Sequence, residues 1–181
     1  NLKILRNHVK YRFGSIFSLV RPIEEVVDYI LMDDFYDLIA ENIVYNALSD
    51  NLWLDFRASY IEKAARKTFE SGVKEEIIKL TGGHSKLSKL SFEAVISETE
   101  SIPSIHDFLL KRPTIQKTLQ EIWGGLLPSE QLAIKKDISY ADAQQEFPYM
   151  VSTQLLSENG ITIPLFASFI KTVPIESTEK I

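Results

Sequence analysis

The chain has 181 residues, enough for one ordinary domain or two small ones, each able to bury a core. Hydrophobic residues make up 45% and charged residues 25%, a globular balance that favours neither a disordered nor a fibrous chain. The net charge of -5 has the wrong sign for a protein living mainly on nucleic acid or anionic membrane, and the absence of cysteine excludes disulfides, thiolate metal sites and Cys nucleophiles. No apolar run approaches the ~18 residues of a membrane span, and no leader pattern opens the sequence, so the expectation is a soluble, cytoplasmic protein. The chain begins with Asn1 inside what reads as an amphipathic helix, so we expect a fragment of a longer polypeptide.

Leu2–Asn7 reads as the end of a helix, followed by a basic stretch, His8–Arg12. Phe13–Val20 is apolar, β-branched and aromatic on both faces and is stopped by Arg21-Pro22, the pattern of a buried strand in a parallel sheet. From Ile23 to Ala40, apolar residues (Val26, Val27, Ile30, Leu31, Phe35, Leu38, Ile39) recur at helical spacing with acids between them. Glu41–Leu48 is a second strand candidate, closed by Ser49-Asp50-Asn51 as a turn or helix cap. Strand, helix, strand suggests part of an α/β sheet.

Strand patterns then vanish for about a hundred residues. Phe56, Tyr60, Ala64 and Ile61, Ala65, Phe69 predict a helix ended by Ser71-Gly72; a short helix covers Lys74–Leu80; and Leu87, Leu90, Ala94 and Val95 define a third. Thr81-Gly82-Gly83-His84 separates the last two. The polar stretch Ser97–Pro103 reads as a linker. Beyond it come a short helix Ile105–Leu110 and a helix opened by Pro113, whose stripe Ile115, Leu119, Ile122, Trp123 and Leu126 marks one buried face. Another helix starts at Pro128, and a further one runs from Phe147 to Glu158 with Asn159-Gly160 as its stop. The tail Ile161–Ile170 reads as a strand. Three helices followed by a β segment is the order of a winged helix-turn-helix. The predicted fold is mainly α with a small α/β portion, in three parts: 1–50, 51–102 and 103–181.

Gly82-Gly83-His84 is the most informative local feature. Glycines between helices allow positive φ and bring a helix N-terminus close to a ligand, although a plain turn with a capping His84 explains the same residues. The three histidines His8, His84 and His106 share no ligand spacing with carboxylates, and no metal site is expected. The adjacent acids Glu24-Glu25, Asp33-Asp34 and Glu75-Glu76 read as solvated surface, because neighbours on a helix do not face one point. No Gly-x-Ser-x-Gly elbow and no Gly-x-x-x-x-Gly-Lys-Ser/Thr loop occurs, and Tyr29–Asp34, superficially a magnesium-binding strand end, continues a helical period. This chain alone is not expected to hydrolyse ATP. The candidate recognition helix Pro148–Glu158 holds no Lys or Arg, and Lys111–Ile181 carries seven cations against eight acids, so electrostatics opposes a DNA reader.

The order of these elements, with Ile78-Lys79-Leu80-Thr81-Gly82-Gly83-His84 and Ile115-x-x-x-Leu119-x-x-Ile122-Trp123-x-x-Leu126-x-x-x-Glu130-Gln131, resembles the C-terminal half of prokaryotic STAND-type P-loop ATPases of the AAA+ superfamily. The resemblance spans most of the chain. It implies the end of an ATPase sheet, a helical lid and a winged helix, with Gly82, Gly83 and His84 facing ATP or ADP, Ser85 capping the following helix, and Ser15 or Ser18 in the sensor strand. Phosphate and magnesium contacts would come from an upstream half. The implied partners are the adenine nucleotide and other protein domains or a second copy, coupled through conformational change or assembly. The family has Pro after Gly-Gly-His where Ser85 stands, and a Thr cap where Leu127 stands; Leu127 cannot accept the cap bond, a local cost of about 1 kcal/mol. Two other readings stay open: a winged-helix DNA-binding or regulatory protein, and a protein-interaction module whose Gly-Gly-His is only a turn.

Overall fold

The computed structural model describes Arg21 and residues 48–174. The expected strands Phe13–Val20 and Glu41–Leu48 lie outside the described residues except for Leu48, and so do the helix Ile23–Ala40 and the sensor candidates Ser15 and Ser18. The chain divides into two compact units, Asn1–Val44 and Tyr45–Ile181, and every described helix and strand belongs to the second. That unit is mainly helical with one small two-stranded antiparallel sheet.

Helix α1, Asn51–Ala65, starts where the Asp50 carboxylate accepts the Trp53 amide at 2.8 Å. It stops at Arg66, which takes the left-handed conformation (φ 54°), not at Ser71-Gly72 as the apolar spacing predicts. Phe69 belongs instead to a loop folded back on α1: Glu62 accepts the Phe69 amide at 2.9 Å and pairs with Lys74 at 2.8 Å. The Lys74 bond, aided by the Phe69 amide, holds the Glu62 carboxyl below its usual range. Gly72 (φ 84°) therefore opens α2, Val73–Thr81, rather than closing α1. Helix α3, Ser85–Ser97, follows the Gly82-Gly83 turn and packs on both α1 and α2.

Helix α4, Ile105–Leu110, is capped by the Ser104 hydroxyl, which accepts the Asp107 amide at 3.2 Å. The expected linker before it is a loop within the second compact unit: Ile102 packs on the core, and Glu98 pairs with Arg112, whose guanidinium lies 4.1 Å over the Phe108 ring. Helix α5, Pro113–Gly124, has Pro113 in its first turn and buries Ile115, Thr118 and Leu119. Helix α6, Pro128–Lys135, begins at Leu127, where half of a capping box survives: Glu130 accepts the Leu127 amide at 2.7 Å, but leucine returns no acceptor.

The last third departs most from the periodicity reading. A helix α7, Tyr140–Glu146, buries only Ala143 and so shows no apolar stripe; its signal is the Ser139 cap, which accepts the Asp142 amide at 3.1 Å. The expected helix Phe147–Glu158 is a single turn, α8, Pro148–Ser152. Thr153 bonds back to the Tyr149 carbonyl at 2.7 Å and Gln154 turns left-handed (φ 59°), which ends the helix before Leu155 and Leu156. Leu156 opens strand β1, Leu156–Ser157, paired with β2, Gly160–Ile161, so Glu158-Asn159 forms the hairpin turn and Asn159-Gly160 is not a helix stop. The predicted C-terminal strand is largely helix α9, Pro164–Ile170. Pro164 starts it, and Leu165, Phe166, Phe169 and Ile170 are buried at i, i+1, i+4, i+5, a helical stripe hidden inside a continuous apolar run.

One hydrophobic core runs from Ala58 and Ile61 of α1 to Phe169 and Ile170 of α9, so segments 51–102 and 103–181 share it. Helix α9 sits against α2, α4 and α5, with the Phe166 ring 6.3 Å from that of Trp123. No helix among the described residues is long and apolar enough to cross a membrane. Phe166 is fully buried, whereas Leu132 is 41% exposed. Phe166→Ala is expected to lower the unfolding free energy by about 3–5 kcal/mol, and Leu132→Ala by under about 1 kcal/mol, in urea titrations followed by circular dichroism.

Candidate functional site

The Thr81–Ser85 turn is held from three sides. Within it, the Gly82 amide closes α2 on the Ile78 carbonyl and the His84 amide bonds to the Thr81 carbonyl, both at 3.0 Å. Below it, the buried Thr81 hydroxyl shares a 2.8 Å bond with Ser88 and reaches the Ile77 carbonyl at 2.8 Å, which locks α2 to α3. Both glycines have positive φ, 55° at Gly82 and 82° at Gly83.

Each glycine also touches a different, distant backbone. A Cβ at Gly82 would lie 2.0 Å from the Thr162 carbonyl oxygen, in the segment between β2 and α9. A Cβ at Gly83 would lie 2.7 Å from the Ser49 carbonyl oxygen, and the Ser49 amide donates to the Gly83 carbonyl at 2.9 Å. Thr162 is itself fixed, its hydroxyl bonding to the Gln154 carbonyl at 2.6 Å and its amide to the Leu155 carbonyl at 3.0 Å. The turn thus joins the segment entering α1, the α2–α3 corner and the segment leaving the hairpin.

His84, and not Ser85, caps α3. Its Nδ1 accepts the Leu87 amide at 3.2 Å, so the ring proton sits on Nε2. A histidine cap needs a neutral Nδ1, and burial pushes the ring's pKa below its ordinary value, with Lys86 adding to the effect and Glu121 opposing it. Ser85 is the first residue of the helix, and its carbonyl and hydroxyl oxygens accept the Arg57 guanidinium at 2.6 and 2.7 Å, a tie between α1 and α3 that no sequence motif signals. Beside them Lys86 pairs with Glu121 of α5.

Two clefts flank the turn. One, of about 440 Å³, is lined by Ser49, Asp55, Glu75, Lys79, Gly82 and Gly83 among others. Its two carboxylates outweigh its one ammonium, so it suits a neutral polar group better than a polyphosphate. The other, of about 540 Å³, lies between Gly82, Tyr140, Gln154, Ser157, Asn159 and Thr162.

A second polar cluster joins residues far apart in sequence. The Ser168 hydroxyl of α9 is 2.9 Å from His106 Nε2, and His106 Nδ1 is 3.0 Å from the Asp107 carboxylate; that bond, with the one to Ser104, holds the Asp107 carboxyl below its usual range. The order matches nucleophile, base and orienter. Ser168 lies inside α9, however, with its amide committed to the helix, and neither cleft reaches it, so the cluster ties α4 to α9. No group of three or more His, Asp or Glu that could hold a metal occurs among the described residues. Comparison of the chain with protein-family models, curated proteins and solved structures gives no match.

Gly82→Ala is expected to lose more than about 2 kcal/mol, because backbone at 2.0 Å cannot give way, whereas Gly72→Ala meets open space and carries only the left-handed penalty of about 1 kcal/mol; chemical denaturation distinguishes the two. The unfolded chain protonates His84 near its ordinary value of 6.5 while the folded chain resists, so the unfolded state binds more protons as pH falls below that value. The stability His84 contributes is therefore complete above about pH 6.5 and declines as pH falls towards the lower folded-state value. His84→Asn, which supplies a capping oxygen in place of the ring nitrogen and does not titrate, should remove this component from the pH dependence of denaturation between about pH 7 and 5.

Proposed function

We propose that this chain is the lid and winged-helix portion of a STAND/AAA+-like signalling ATPase, in which ATP or ADP occupancy is converted into movement or assembly. The observation that carries the reading is the Gly82-Gly83 turn, whose backbone contacts both the segment entering α1 and the segment leaving the hairpin. A nucleotide-facing corner built in this way passes any displacement to the α6–α9 region through rigid backbone. The order α6, α7, α8, hairpin, α9 supports a winged helix-turn-helix with a two-stranded wing.

The cleft beside the glycines has the chemistry of a site for a nucleobase or ribose, with phosphates and Mg²⁺ held by an upstream half that carries the phosphate-binding loop. Ser85 occupies the first helical position, where the proline of the resembled family is sterically welcome. A DNA-reading role is opposed by charge: from Tyr140 to Ile170 there is no Lys or Arg, while Asp142, Glu146 and Glu158 are present.

Calorimetric titration of the natural full-length polypeptide with MgATP and MgADP is expected to show saturable binding of at least one, weakened by Lys79→Ala or Gly83→Ala. Absence of binding to either nucleotide overturns the reading. Salt-dependent retention of duplex DNA by the 181-residue chain would favour the DNA-binding alternative instead.

A further inference from the structure

Helix α1 is apolar on two sides. Leu54, Ala58 and Ile61 are buried, whereas Leu52, Trp53, Phe56 and Tyr60 on the opposite side are 80%, 54%, 63% and 68% exposed. The Trp53 and Phe56 rings stack at 5.5 Å between centroids and 16° between planes, forming a continuous aromatic surface. An amphipathic helix satisfied by its own fold needs one apolar face, so the second requires another explanation.

Charge is divided along the same helix. Asp50 and Asp55 lie at its N-terminal end, and Lys63 and Arg66 at its C-terminal end. Asp55, Lys63 and Arg66 are exposed and form no ion pair with another described residue. A surface with an apolar centre, one acidic end and one basic end complements itself when two copies run antiparallel about a two-fold axis perpendicular to the helix. Parallel pairing sets like charges together.

We propose that α1 is a self-association helix, pairing antiparallel with α1 of a second copy of this chain. A two-fold axis near residues 58–59 sets Phe56 of each copy against Tyr60 of the other and the Asp50–Asp55 end alongside the Lys63–Arg66 end, with neighbouring side chains spaced by the ~1.5 Å rise of the helix. Aromatic side chains cover roughly 150–250 Å² each when fully buried, so at these exposures the four residues supply on the order of 500 Å² per copy. The pair then buries about 1,000 Å², the lower bound of a specific interface, and the association is weak and reversible with a Kd on the order of 10–100 µM. This inference is independent of the nucleotide reading.

Sedimentation equilibrium of the 181-residue chain from about 5 to about 500 µM, without nucleotide, tests it. The expected result is a monomer–dimer equilibrium in which Phe56→Asp, and separately Tyr60→Asp, weaken the dimer by more than about tenfold while helix content is unchanged by circular dichroism. Asp55→Lys and Lys63→Glu should each weaken it several-fold, and the double variant should return to within about twofold of the parent. A chain that stays monomeric over the whole range overturns the proposal, as it would if the face served a different protein. So does a dimer indifferent to both aromatic substitutions, or a double variant that remains as weak as the single ones.

Discussion

The described part of this protein depends on how closely three stretches of backbone approach at Gly82 and Gly83. Side chains rarely determine a fold by their absence, but here the Thr162 carbonyl and the Ser49 carbonyl occupy the volumes where two Cβ atoms would stand. Everything flanking the turn reinforces that approach. Thr81 and Ser88 share a buried bond beneath it, His84 caps the helix leaving it, and Arg57 grips the first residue of that helix from α1. With positive φ at both positions, no other residue satisfies the local conformation and the close contact together.

The elements that are legible in the sequence share one property, an apolar stripe interrupted by polar residues. Helix α5 is the clearest case, because Ile115 and Leu119 recur at four-residue spacing behind a proline start. The tail Ile161–Ile170 is opaque for the opposite reason: its apolar run lacks the polar residues that reveal a period, so a buried helix and a buried strand look alike, and only Pro164 hints at a helix start. Helix α7 is invisible because a helix that buries a single alanine has no stripe to show. Gly72 misleads because a glycine between two helices serves either as the end of one or the start of the next, and the Glu62 bonds that pull the intervening loop back are tertiary.

At the candidate site, sequence marks the turn, and of the two caps it offers, His84 and Ser85, the structure uses His84. Gly-Gly followed by His announces a corner, and the corner is there, but histidine uses its ring nitrogen where the resemblance implies a serine hydroxyl. The partners that make the turn more than a corner, Ser49 and Thr162, are distant in sequence and contribute backbone, which carries no residue-type signal at all. The same distance hides the His106–Ser168 bond, which joins two helices 62 residues apart in sequence.

Gly82 lines both clefts, so a residue without a side chain is common to the two. The Thr162 carbonyl stands directly against that residue, on the side where a Cβ would otherwise be. Occupants of the two clefts, though lined mostly by different residues, would each meet the same short stretch of backbone.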